Sequence, residues 1–183
     1  MSQLWIPILL SAIAVFIASS LIHMVSPWHK GDYPRLRNEV EVMDAMRPLA
    51  LEPGDYFFPR PDNAAHMRSS EFIARMAAGP NVLMTVFPNG SPAMGRTFVE
   101  WFVYLVVVSA LAAHVVSRAV PAHGDRAHVF HQVALVSFAA YGLALWQLTI
   151  WYRRSRAITI KSTIDAVIYA AITAGIFAWW WPA

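Results

Sequence analysis

Four apolar runs of roughly twenty residues each, separated by polar segments, limit what this chain can fold into. A helix rises 1.5 Å per residue, so about twenty apolar residues cross the hydrocarbon core of a bilayer. The first run is LWIPILLSAIAVFIASSLIHM, Leu4 to Met24. The second spans Phe98 to Val116, between Arg96 and Arg118. The third spans Val129 to Tyr152, and the fourth Ile164 to Trp181, ending in WWWP. Trp and Tyr gather at several run ends, where amphipathic rings favour the headgroup layer. The expected fold is mainly α: a four-span transmembrane helical bundle. A cleaved signal peptide would carry a basic start and a shorter apolar stretch. MSQ supplies no basic side chain, so the first run reads as an uncleaved anchor.

Composition agrees. The chain is 57% hydrophobic and 14% charged, where a soluble domain carries about 25% charged residues. It has no cysteine, which excludes disulfides, thiolate chemistry, Cys-ligated zinc and iron–sulfur clusters. The net charge of +3 is modest, and the basic residues lie beside apolar runs. They read as orientation signals, with no nucleic-acid footprint.

Four spans put both termini on one side. The loop from about His29 to Arg96 then shares a side with the short link RRSRAITIK. Together they hold twelve of the fourteen Lys and Arg residues; only Arg118 and Arg126 lie opposite. The positive-inside rule predicts the loop in the cytoplasm and both termini outside.

The loop has the composition of a folded segment. NEVEVMDAMRPL reads as a helix with Asn38 as cap and Pro48 as stop. EPGDYFFP reads as a turn and a strand. SSEFIARMAAGP reads as a helix capped by Ser70 and stopped at Gly79-Pro80, and NVLMTVFPNG as a strand. The expected organisation is transmembrane helix 1 over 1–28, a small α+β cytoplasmic insert over 29–96, and transmembrane helices 2–4 over 97–183. So few residues form a marginal core, so the insert is expected to lean on the bundle, the lipid or a partner.

Chemistry is sparser. HVVSRAVPAHGDRAHVFH, His114 to His131, holds four of the seven histidines. His128 and His131 share a helix face, and His114 lies on the neighbouring antiparallel helix. Imidazoles on facing helices can ligate haem iron, copper or zinc. The candidate metal ligands are therefore His114 and His131, then His128, with His123 last. The competing reading is an interfacial turn whose polar tips reach water, and it is preferred; no cofactor is expected. HMVSPWHKGDY, with His23 and His29, reads as a helix stop at Pro27 with an aromatic anchor and a basic collar. Glu100 and Asp165 each read as first-turn acids paired with a base four residues earlier, Arg96 and Lys161. Tyr141 and Gln147 are accounted for by interhelical hydrogen bonds. Small residues at i, i+4 (Ala14 and Ala18, Ser109 and Ala113, Ala140 and Ala144, Ala171 and Gly175) favour close helix packing. There is no Gly-rich phosphate loop, no His-Glu pair on a helix, and no Ser or Thr nucleophile beside a base.

SSLIHMVSPWHKGDY, LALWQLTIWYRRS and IKSTIDAVIYAAITAGIFAWWWP together resemble a group of small, uncharacterised multipass bacterial proteins, over most of the chain. The resemblance implies a bacterial inner-membrane protein and carries over no activity and no site residue. The expected function is a non-catalytic accessory, assembly or partner-docking subunit. Its partners would be the lipid bilayer and a protein, or a second copy, engaged through helix faces and residues 38–90. The alternatives are a haem b or copper electron-transfer protein and a small transporter. The last is disfavoured because span centres lack paired charges and no internal repeat is evident.

Overall fold

The computed structural model describes residues 3–182. In chain order, α1 (Trp5–Ser20) runs on through a π turn (Leu21–Val25); α2 (Glu39–Met46) and α3 (Ser70–Ala78) alternate with β1 (Gly54–Phe58) and β2 (Val82–Val86). Then come α4 (Met94–Ala119), α5 (Arg126–Phe138), a second π turn (Ala139–Leu143), α6 (Leu145–Tyr152) and α7 (Arg156–Trp179). Four helical stretches are long and apolar enough to cross a membrane: Trp5–Val25, Met94–Ala119, Arg126–Tyr152 and Arg156–Trp179. Their outward side chains are themselves apolar. Ile13, Ile17, Val103, Val107, Leu135, Ile150 and Val167 are all exposed, which is the surface that lipid requires and water penalises.

The fourth span begins earlier than its hydropathy indicates. Arg153 adopts the left-handed conformation at φ 56° and ends α6. No breaker follows, so the helix restarts at Arg156 and its polar first turns, RAITIKST, are helical. Asp165 is thereby the tenth residue of α7, about 13 Å along its axis, and not a first-turn acid. Glu100 does form the expected pair with Arg96, at 2.7 Å and exposed.

The bundle interior has two layers. One, at the end bearing the histidine-rich turn, is aliphatic: Leu4, Ile8, Ala112, Val116, Val129, Val133 and Ala174 close on Phe177. The other, towards the end where the chain departs for the insert, packs Ala12, Val15, Leu105, Val108 and Ala166 with Tyr141 and Tyr169. Of the four small-residue pairs, Ser109 and Ala113 are fully buried, whereas Ala171 and Gly175 face outward. Ala170 and Ala174, one position round the helix, are buried instead. Gly142 permits a close approach of α7: a Cβ there would meet the Ala166 Cβ at 3.1 Å.

The chain divides into two compact units, Met1–Pro34 with Ala93–Ala183, and Arg35–Pro92. Residues 29–34 thus belong with the bundle, for reasons given below. In the smaller unit β1 and β2 pair antiparallel, Gly54 opposite Val86 and Phe58 opposite Val82. Thr85 donates to Asp55 directly across the ladder. Ser69, one residue before the expected cap, accepts from the Phe72 amide, and Gly79 at φ 61° closes α3. Asn38 precedes α2 but spends its side chain on Glu41. Phe72 is the one buried hydrophobic residue among those described in this unit.

Candidate functional site

The site is built where the first span ends. Ser26 turns extended at ψ 153°, and Pro27 bars further helix. Two successive turns follow, closed by Lys30 N–H on the Pro27 carbonyl and Asp32 N–H on the His29 carbonyl. They set the His29 ring between two acids. Its Nδ1 lies 2.6 Å from Asp32 Oδ2, and its Nε2 lies 2.9 Å from Asp165 Oδ2. Lys161, one turn before Asp165 on α7, donates to Asp32 Oδ1 at 2.6 Å and to the Trp28 carbonyl at 2.8 Å. The expected Lys161–Asp165 pair is therefore replaced by a crossed arrangement in which each α7 residue takes its partner from the segment after the first span.

Burial makes this arrangement costly to disturb. The side chains of Asp165, Asp32 and His29 are 4%, 6% and 13% exposed. Left unpaired, the Asp165 carboxylate would cost several kcal/mol. Imidazole can donate to both acids only with a proton on each ring nitrogen. The Lys161 ammonium, followed by His29, holds the Asp32 carboxyl below the usual carboxylate range.

His23 completes the cluster. It lies in the first π turn, its ring stacked on His29 at 4.2 Å between centroids and 20° between planes. Its Nε2 is 4.0 Å from Asp165 Oδ2, too long for a hydrogen bond. Both ring nitrogens are without a hydrogen-bond partner among the described residues.

Beside these groups lies a cavity of about 320 Å³, bordered by His23, Asp165, Leu145 and four aromatic residues. The aromatics form a closed circuit. Trp101 stacks on Tyr104 at 5.4 Å, Tyr104 meets Tyr141 at 6.1 Å, Tyr141 meets Tyr169 at 5.7 Å, and Tyr169 returns to Trp101 at 6.5 Å. Trp101 is anchored by its Nε1–H on Ser19 Oγ, and Tyr104 by its hydroxyl on the Ala140 carbonyl. Ala140 lies in the second π turn, whose wider winding breaks the regular i→i−4 ladder. The two π turns thus present His23 and Tyr141 to the same cavity. Two of the bordering residues each carry a buried polar atom with no hydrogen-bond partner among the described residues, Asp165 Oδ1 and Tyr169 Oη. The Tyr141 hydroxyl has the hydroxyls of Ser109 on α4 and Thr173 on α7 beside it, the kind of interhelical contact expected for it.

The sequence-predicted histidines lie elsewhere. His114, His123, His128 and His131 are all exposed. Among the described residues, the group of three metal-ligating side chains with donor atoms within 4.8 Å of one another is His23, His29 and Asp165. The turn that carries His123 is fastened by other means: its amide donates to the Pro182 carbonyl, and Trp181 Nε1–H donates to the Pro121 carbonyl. Asp125 caps α5 through the His128 amide. One signal in the sequence pointed to the real cluster. An even number of long helices between them puts the end of the first and the start of the fourth at one end of the bundle, so His23, His29 and Asp32 lie at the same end as Lys161 and Asp165.

Comparison of the chain with protein-family models, curated proteins and solved structures finds no match.

Proposed function

We propose that the chain is a multipass membrane protein that binds a small polar-headed molecule in the aromatic cavity, against Asp165, Tyr141 and Tyr169. The observation that carries this reading is an aromatic-lined, partly open cavity bordered by two residues, Asp165 and Tyr169, that each hold a buried polar atom without a hydrogen-bond partner among the described residues. Each such atom costs roughly 1–3 kcal/mol unless something satisfies it. A sequence selected for stability alone would place Phe and Leu there. The cavity is at the small end of the range for small-molecule sites, about 300–1,000 Å³. Leu145 lines it from the third span, and Leu145→Trp would fill it. Native mass spectrometry of the protein released from nanodiscs of its native lipids is expected to show a small-molecule adduct on the wild type. The adduct should be lost in Leu145→Trp at unchanged melting temperature. A bare wild-type mass, or equal adducts on both proteins, would overturn the reading.

The location we infer is a bacterial inner membrane, with the insert cytoplasmic and both termini outside, on the strength of the basic residues near span ends. A second role, docking a protein partner through the insert, is favoured by Phe57, Phe58, Leu83 and Phe87, all exposed on so small a unit. The absence of native cysteine gives one experiment for both. Phe57→Cys in intact cells should react with a permeant maleimide, resist an impermeant one, and cross-link to another polypeptide through a bifunctional reagent. Labelling by the impermeant reagent would reverse the orientation, and a lack of cross-linked product would remove the docking role.

A further inference from the structure

The polar cluster contains more than a salt bridge uses. His29, Asp32 and Lys161 satisfy one another and Asp165 Oδ2. Left over are both nitrogens of His23 and the second oxygen of Asp165, which is buried. A structure built only to tie the first span to the fourth has no use for a second imidazole stacked on the first. Nor has it use for a carboxylate oxygen kept from every donor.

We propose that His23, His29 and Asp165 bind a divalent transition-metal ion beside the aromatic cavity. The inference rests on reading that cavity as a ligand site and names the ion that would hold the ligand's head. Two imidazoles and one carboxylate are a donor set that zinc(II) accepts with one position open and iron(II) with several. Bonds of about 2.1 Å to a tetrahedral ion separate neighbouring donors by about 3.4 Å. The present separations from Asp165 Oδ2, 2.9 Å to His29 and 4.0 Å to His23, bracket that value. All three donor atoms lie within 4.8 Å of one another, and the half-exposed His23 ring, now stacked on His29, turns to aim a nitrogen at the ion.

The surroundings have the form of a metal site's outer shell. A ligating histidine almost always gives its other ring N–H to a carboxylate, which fixes its tautomer and aims its free nitrogen. Asp32 does this for His29, and Lys161, seated 5.6 Å over the Trp28 ring, fixes Asp32 in turn. The ion takes the position between His29 Nε2 and Asp165 Oδ2 that the hydrogen bond now spans. His23 and Asp165 both border the cavity, so the ion's open position faces it. The Asp165 oxygen that now lacks a partner becomes available as a second bond to the ion.

The test uses the full chain in nanodiscs, stripped with chelator and titrated calorimetrically with Zn2+. A parallel titration with Co2+ is followed by visible absorption. One ion per chain is expected, with cobalt bands typical of low coordination. His23→Ala, His29→Gln and Asp165→Asn should each weaken binding at least 100-fold. Asp32→Asn should weaken it about 10- to 100-fold, as a ligand-orienting carboxylate does. The double variant His114→Ala, His131→Ala should bind as the wild type does. His23→Ala is the decisive variant because the His23 side chain makes no hydrogen bond among the described residues; its melting temperature, measured alongside, separates lost binding from lost folding. Absent binding to the wild type, binding untouched by His23→Ala, or binding lost in the His114, His131 double variant would each overturn the inference. The Leu145→Trp protein separates the two readings. Ion binding there with no adduct leaves both standing, while an adduct on a wild type that takes no ion removes the metal alone.

Discussion

The two ends of the bundle each carry histidines, and they use them in opposite ways. At one end four histidines crowd into eighteen residues of sequence, lie exposed, and sit above a dry layer of Leu, Val, Ala and Phe177. At the other end two histidines six residues apart meet an aspartate 136 residues further on, above a layer that contains tyrosines and a cavity. Density along the chain produced no gathered donors; convergence across the fold did. The reason is geometric. Neighbours within a turn point outward with it, whereas residues at the ends of different helices are aimed at one another by packing. The turn at the first end is closed by Pro121, Trp181, Pro182 and the Arg126–Trp179 stack at 5.4 Å, none of which involves an imidazole.

The largest test of this contrast is stability. His29→Ala strips Asp165 of its close partner while leaving the carboxylate buried, and breaking such a pair costs about 3–5 kcal/mol. His114→Ala combined with His131→Ala removes only exposed rings, and surface substitutions stay within about 0.5 kcal/mol. Reversible denaturation in mixed micelles measures both. Equal losses for the two proteins would abolish the distinction between the ends. A loss below 1 kcal/mol for His29→Ala would mean that Asp165 finds another partner.

What was legible in the sequence follows the same division. Periodicity, run length and turn residues are local, so the four long helices and the helix and strand order of the insert could be read directly. Asp165 could not, because the pairing rule for i, i+4 residues supplied a satisfying local partner in Lys161. The start of the fourth helix was placed eight residues late, since hydropathy cannot see that RAITIKST continues the helix beneath a polar surface. That error moved Asp165 towards the interface and made it look ordinary. Tyr169 is equally hidden, because an unpaired hydroxyl is a property of the packed state. HMVSPWHKGDY was recognised as a local group and read as a helix stop, which it is. Its second use depends on α7.

The smaller and finer test is acidity, because it isolates the outer carboxylate from the inner one. Asp32 is held below the usual carboxylate range by Lys161 and then His29. A depressed folded-state pKa means that the unfolded chain binds the proton more readily than the native one. The stabilisation from Asp32 is therefore whole above its ordinary value of 3.8 and is lost as pH falls through the lower folded-state value. Wild-type melting temperature should decline along this arm between about pH 5 and pH 2. In Asp32→Asn that decline should flatten, since its amide cannot take up the proton, while the melting temperature at pH 7 is already reduced. The corresponding variant at the other end, Asp125→Asn, keeps a side-chain oxygen to cap α5 and should cost little at pH 7. An acid arm that survives intact in Asp32→Asn would shift the titrating group elsewhere and break the link between Lys161, Asp32 and the orientation of His29.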